Sequence, residues 1–189
     1  MYKTISNEII RKFHPCYDPS KVIKDETEEL TVKQWVEKYR KVVPAKDILW
    51  LLLREEFLSE KDLILFAVWC VRESLKLIEN PDERSVDACN VVERYANGEA
   101  ATQEELLDAR HAALNAAHNA DFYVYQSAYY AAVYAANAAI SDDNVAVHTA
   151  HAASYASDAA NDVFYAFNAA NDANDAHAAQ LDQLLTYFE

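Results

Sequence analysis

Tyr123-Val124-Tyr125-Gln126-Ser127-Ala128-Tyr129-Tyr130-Ala131-Ala132-Val133-Tyr134-Ala135-Ala136-Asn137-Ala138-Ala139-Ile140 contains no glycine and no proline, and 7 of its 18 residues are alanine. Alanine is the best intrinsic helix former, so this stretch reads as one long helix. At about 100° per residue, Phe122, Tyr129, Val133, Ala136 and Ile140 share one stripe. Tyr123, Tyr130, Tyr134 and Asn137 share a second, turned by about a quarter circle. A helix with two such stripes is either sandwiched between neighbours or presents one stripe to a partner. Sandwiching is the expectation.

The same character extends outward. After Gly98 the chain has no further glycine or proline, and it holds 29 of the 33 alanines. Thr102-Gln103-Glu104-Glu105 is a capping box that starts a helix. Capping residues cluster at Asn119-Ala120-Asp121 and Ser141-Asp142-Asp143-Asn144. The prediction is three helices, roughly 103–119, 121–140 and 142–179, the last open to a break near Asn161-Asp162. Leu181, Leu184, Leu185, Tyr187 and Phe188 form a terminal apolar patch.

The first 98 residues read as shorter, punctuated helices. Ser6 can cap a helix carrying Ile9, Ile10 and Phe13, which Pro15 and Pro19 then end. Thr31 with Gln34 makes another capping box, ahead of Val32, Trp35, Val36 and Tyr39. Pro44 suits the first turn of a helix with Ile48, Leu49, Leu52 and Phe57. Ser59 opens a helix to about Glu79 that is apolar on more than one face, and so central. Ser85 or a neighbour starts the next, and Gly98 ends it. One glycine in 189 residues argues against turn-built β folds and phosphate-loop folds, which need several. The expected fold class is all-α: a bundle of short N-terminal helices (1–98) packed with long alanine-rich helices (99–189), as one continuous unit.

Charge is unevenly shared. Residues 1–98 are nearly balanced at net −2, whereas 99–189 carry 13 acidic residues and one base, Arg110. Phosphate backbones and anionic bilayers reward Lys and Arg, so no direct nucleic-acid or membrane partner is expected. A basic protein partner is. Three cysteines (Cys16, Cys70, Cys89), an odd number without a Cys-x-x-Cys, fit a reducing compartment, and no signal-peptide stretch opens the chain. The expected location is cytoplasmic.

Catalytic patterns are weak. Asp108-x-x-His111 with His118, and His148-x-x-His151, could fit a metal-dependent helical-bundle enzyme, but the second Glu-x-x-His of ferritin-like sites is missing. Cys16 beside His14 lacks an oxyanion-hole glycine turn. The expectation is no enzyme, no cofactor and no metal. The acidic pattern is better organised. If 158–175 is one helix, Asp158, Asp162 and Asp172 fall within about 80° of arc, and Asp175 widens that face. The candidate partner-binding residues are therefore Asp158, Asp162, Asp172 and Asp175, flanked by Tyr123, Tyr130 and Tyr134.

Several phrases of the first half carry a family resemblance: Phe13-His14-Pro15-Cys16-Tyr17-Asp18-Pro19, Leu52-Leu53-Arg54-Glu55-Glu56-Phe57-Leu58, Leu65-Phe66-Ala67-Val68-Trp69-Cys70-Val71-Arg72-Glu73, Arg84-Ser85, and Glu93-Arg94-Tyr95-Ala96-Asn97-Gly98-Glu99-Ala100 with Thr102-Gln103-Glu104-Glu105-Leu106. Together they resemble the bacterial and phage immunity-protein family linked to polymorphic toxins, whose members typically end in an alanine-rich helical tail. The resemblance implies a helical cytoplasmic inhibitor that blocks another protein, such as a toxin or nuclease. It carries over no target and no binding residues. Two other readings use the same sequence: a phage-encoded anti-defence protein mimicking nucleic acid against a CRISPR or restriction nuclease, and a structural oligomer built on Ala and Tyr faces.

Overall fold

Most helices of the first half begin where a side chain takes up a backbone N–H that the helix leaves free. Ser6 Oγ accepts the Ile9 N–H at 3.3 Å and opens α1 (Asn7–Lys12). His14 closes it with φ +52°, a left-handed turn that delivers the chain to Pro15. The Thr31–Gln34 capping box forms on α2 (Val32–Tyr39), with both reciprocal bonds present at 3.1 and 3.3 Å. Pro44 precedes α3 (Ala45–Leu52), and Ser59 caps α4 (Glu60–Leu75). The next helix, α5 (Glu83–Ala96), starts at Asp82 rather than Ser85. The Asp82 carboxylate accepts the Arg84 N–H at 2.9 Å, while Ser85 is fully buried. Gly98 ends α5 at φ +72°. Its N–H donates to Tyr95 O at 3.0 Å, and the Glu99 N–H donates to Arg94 O at 2.9 Å. This paired closure needs a left-handed residue, which glycine adopts at little cost.

The computed structural model describes the backbone of residues 1–141, 143–167 and 173–188, and the side chains of these outside 163–167 and 173. Within them the protein is all-α, nine helices with one two-stranded ribbon. In that ribbon β1 (Thr4–Ile5) pairs antiparallel with β2 (Leu30–Thr31). Two-residue strands carry no readable period, so pattern reading does not find them.

The second half supplies α6 (Gln103–His118), α7 (Tyr123–Ile140), α8 (Val145–Phe167) and α9 (Ala173–Leu184). The Thr102–Glu105 capping box forms at the head of α6. The single helix over 142–179 does not form. The α8 helix runs through Asn161-Asp162 without a break, and α9 then packs back along it. Gln180 Nε2 donates to Ala153 O at 2.8 Å. A straight helix would hold those positions about 40 Å apart.

The core runs through both halves. The central helix α4 packs on α5, α7 and α8, and it buries Leu63, Phe66, Ala67, Cys70 and Val71 completely. Thr149 Oγ1 donates to Leu63 O at 3.2 Å in this buried seam. The α7 helix is sandwiched by α4, α5, α6 and α8. Tyr129, Val133 and Ala136 of its first stripe face inward, while Phe122 at the start of that stripe is exposed; the Tyr129 hydroxyl accepts the Asp82 N–H at 2.8 Å. Alanines at 113, 116, 117, 128, 131, 132, 135 and 136 are almost wholly buried, so the α6–α8 layer is built from methyl groups at close approach. Each methyl buries little area, whereas α3 and α4 bury large side chains such as Ile48, Leu52, Leu63 and Phe66. Burial also pushes the Cys70 thiol well up and the Cys89 thiol up to about 12, so both act as small hydrophobes. Among the described residues, no helix is long and apolar enough to cross a membrane.

Candidate interaction surface

The second stripe of α7 meets a matching stripe of α8. On α7 it reads Tyr123, Ser127, Tyr130, Tyr134 and Asn137; on α8 it reads His148, His151, Tyr155, Asp158 and Asp162. Both advance by three or four residues, so each keeps one face of its helix. The helices run antiparallel and the pairs follow in order. Ser127 Oγ donates to Asp162 Oδ2 at 3.0 Å. The Tyr130 ring lies 5.5 Å from Tyr155, and Tyr134 stacks on Tyr155 at 5.3 Å and on His151 at 4.8 Å. His148 packs on the same Tyr134 ring at 6.1 Å. From α6, His118 meets Tyr130 edge-on at 6.2 Å, and Arg110 Nε donates to Asn137 Oδ1 at 2.6 Å.

This arrangement grades the strip electrically. One end carries Arg110, His148 and His151. Burial holds His148 below the usual histidine value, and the charges of His151 and Arg110 add to that. The other end carries Asp158 and Asp162. Burial pushes the Asp158 carboxyl up and the Asp162 charge adds to it, while His177 pulls the other way. Among the described residues, no Lys or Arg pairs with either carboxylate. Tyr155 is pushed up by burial, and the adjoining tyrosines and Asp158 add to that, so it stays a neutral donor. Phe122 and Tyr123 stand at the acidic end, 64% and 80% exposed. Aromatic faces beside carboxylates offer a wet, amphipathic contact surface.

The structure brings together Asp158, Asp162, Tyr130 and Tyr134, with Tyr123 one turn beyond Ser127. Asp175 is separate: it borders a groove of α4, α8 and α9 beside Trp69, Glu73 and Leu77. The face drawn through 158–175 assumed one helix, and the reversal between α8 and α9 splits it. Asp172 lies outside the described residues. Tyr155, Ser127, His148 and His151 were missing from the sequence-based set. The spacing of His148, His151 and Tyr155 is visible when α8 is read from Val145 instead of from Asp158, and that of Ser127 between Tyr123 and Tyr130 on α7. The histidines suggested for a metal do not converge: His111 is exposed, while the other three pack on tyrosines. Among the described residues, no group of three or more His, Cys, Asp or Glu could hold a metal ion.

No family model, no curated protein and no solved structure matches this chain. The strip is therefore read from its own chemistry.

Proposed function

We propose that this protein is a non-enzymatic, cytoplasmic inhibitor that binds a basic protein, a toxin or a nuclease, and neutralises it through the Asp158–Asp162 end of the α7–α8 strip. The observation that supports this most is that Asp158 and Asp162 meet no Lys or Arg among the described residues, although Glu105 and Asp182 are paired with Arg94 and Arg40. Residues 99–189 carry net −12, and their one basic side chain, Arg110, is held by Asn137 at the far end of the strip. A surface of one sign steers a partner of the other sign and speeds encounter. The flanking Tyr123, Tyr130 and Phe122 supply the aromatic area that contact energy needs. The resemblance of the first half to immunity proteins points the same way.

The test is affinity capture from the native host at low and high salt, with wild-type protein and an Asp158→Lys/Asp162→Lys double variant. Wild type should retain one stoichiometric basic protein that high salt releases. The double variant should lose at least tenfold in affinity while its helical circular dichroism is unchanged. Equal binding by a folded double variant refutes the acidic strip. The captured protein's own activity then separates a toxin from a CRISPR or restriction nuclease.

A further inference from the structure

On the side of the molecule formed by α1–α3, a pocket of about 260 Å³ opens between the Pro15–Pro19 turn, α2 and α3. Its walls are apolar and aromatic: Ile10, Val22, Ile23 and Trp35 line the interior, and Tyr17 and Trp50 border it while 38% and 42% exposed. A cavity of about 150 Å³ already holds a benzene ring, so this one has room for two fused rings. The polar groups are few and complementary. Trp35 is 3% exposed, and its buried indole N–H has no acceptor within the protein. Lys46 also lines the pocket and, among the described residues, pairs with no carboxylate. Asp47 adds an acceptor on the same wall.

We infer that this pocket is a binding site for a small planar two-ring nitrogen heteroaromatic, of the indole or purine class. The ring system fills the apolar space against Trp35, Tyr17 and Trp50. A ring nitrogen of a purine accepts from the Lys46 ammonium, or the π face of an indole lies against it, and a ring N–H donates to Asp47. The pocket is independent of the α7–α8 strip, so its occupancy and inhibitor activity can be tested separately.

The experiment titrates full-length protein with indole, 1-methylindole and adenine, and follows the three tryptophan side-chain N–H signals by NMR. Trp35 is assigned with a Trp35→Phe variant. Either indole or adenine should shift the Trp35 signal saturably and leave Trp69 in place. Which of them does so identifies the ring class. Val22→Phe, which fills the pocket from a half-buried wall position, should weaken binding at least tenfold. Asp47→Asn should weaken indole at least threefold. A second readout uses the exposed thiol of Cys16 on the pocket wall, with Cys70 and Cys89 buried: bound ligand should slow its reaction with a disulfide reagent. No saturable shift with indole or adenine overturns the inference. Where indole binds, equal affinity of 1-methylindole also overturns it, as does binding that Val22→Phe leaves unchanged in a folded protein.

Discussion

Replacing Gln180 by alanine should loosen α9 from the bundle. Gln180 is 3% exposed and sits between α9 and α8. Its Nε2 donates to Ala153 O at 2.8 Å. Its Oε1 lies 3.2 Å from Ser157 Oγ, whose single proton is shared with Ala153 O at 3.0 Å. Alanine removes both contacts, each with a net value of about 1 kcal/mol, and about two methylene-sized groups at about 0.8 kcal/mol each. The expected loss is about 3–4 kcal/mol. For a chain of this size that lowers Tm by about 10 °C. Gln180→Leu keeps most of the packing volume but loses the same two contacts, so it should cost only about 2 kcal/mol. Thermal unfolding followed by far-UV circular dichroism measures both. Hydrogen exchange should show faster exchange of α9 amides in Gln180→Ala, with α4 unchanged. A Tm within about 2 °C of wild type would refute the reasoning, because α9 would then not be pinned by this contact.

Two further outcomes follow from the same structure. Ala136→Leu adds bulk where α7 is fully buried, and should cost about 1–3 kcal/mol by urea unfolding; no loss would mean the methyl layer has slack. His148 is held below its ordinary value of 6.5, so the unfolded chain takes that proton first. Stability should be full above 6.5 and fall as pH drops from there toward the lowered folded value. His148→Phe should flatten that limb of a Tm-against-pH curve, and an unchanged limb would exclude His148 as its source.

Much of the helix punctuation was legible because its signals are local. The Thr31–Gln34 and Thr102–Glu105 boxes and the Gly98 closure each act within about one helical turn, so a short window contains the donor, the acceptor and the reason. The candidate strip was legible in part. Tyr130, Tyr134, Asp158 and Asp162 stood out by residue type, but Tyr155 and Ser127 matter through their partners across the seam. Asp175 was grouped with Asp158 by helical arithmetic alone, and that arithmetic holds only while the helix continues.

From the sequence alone come the all-α class, the start of most helices and the charge asymmetry, because alanine content, capping residues and the absence of glycine and proline after Gly98 act on the backbone where they stand. Tertiary structure decided the rest: the α8–α9 reversal, the burial of Tyr129, Val133 and Ala136, and the pairing of Tyr134 with Tyr155. In an alanine-rich chain many positions carry the same small apolar side chain, so local pattern does not distinguish the faces of a helix. The rare larger groups do, and only when they meet: Tyr129 at the Asp82 N–H, Thr149 at Leu63 O and Gln180 at Ala153 O, contacts between residues 27 to 86 positions apart.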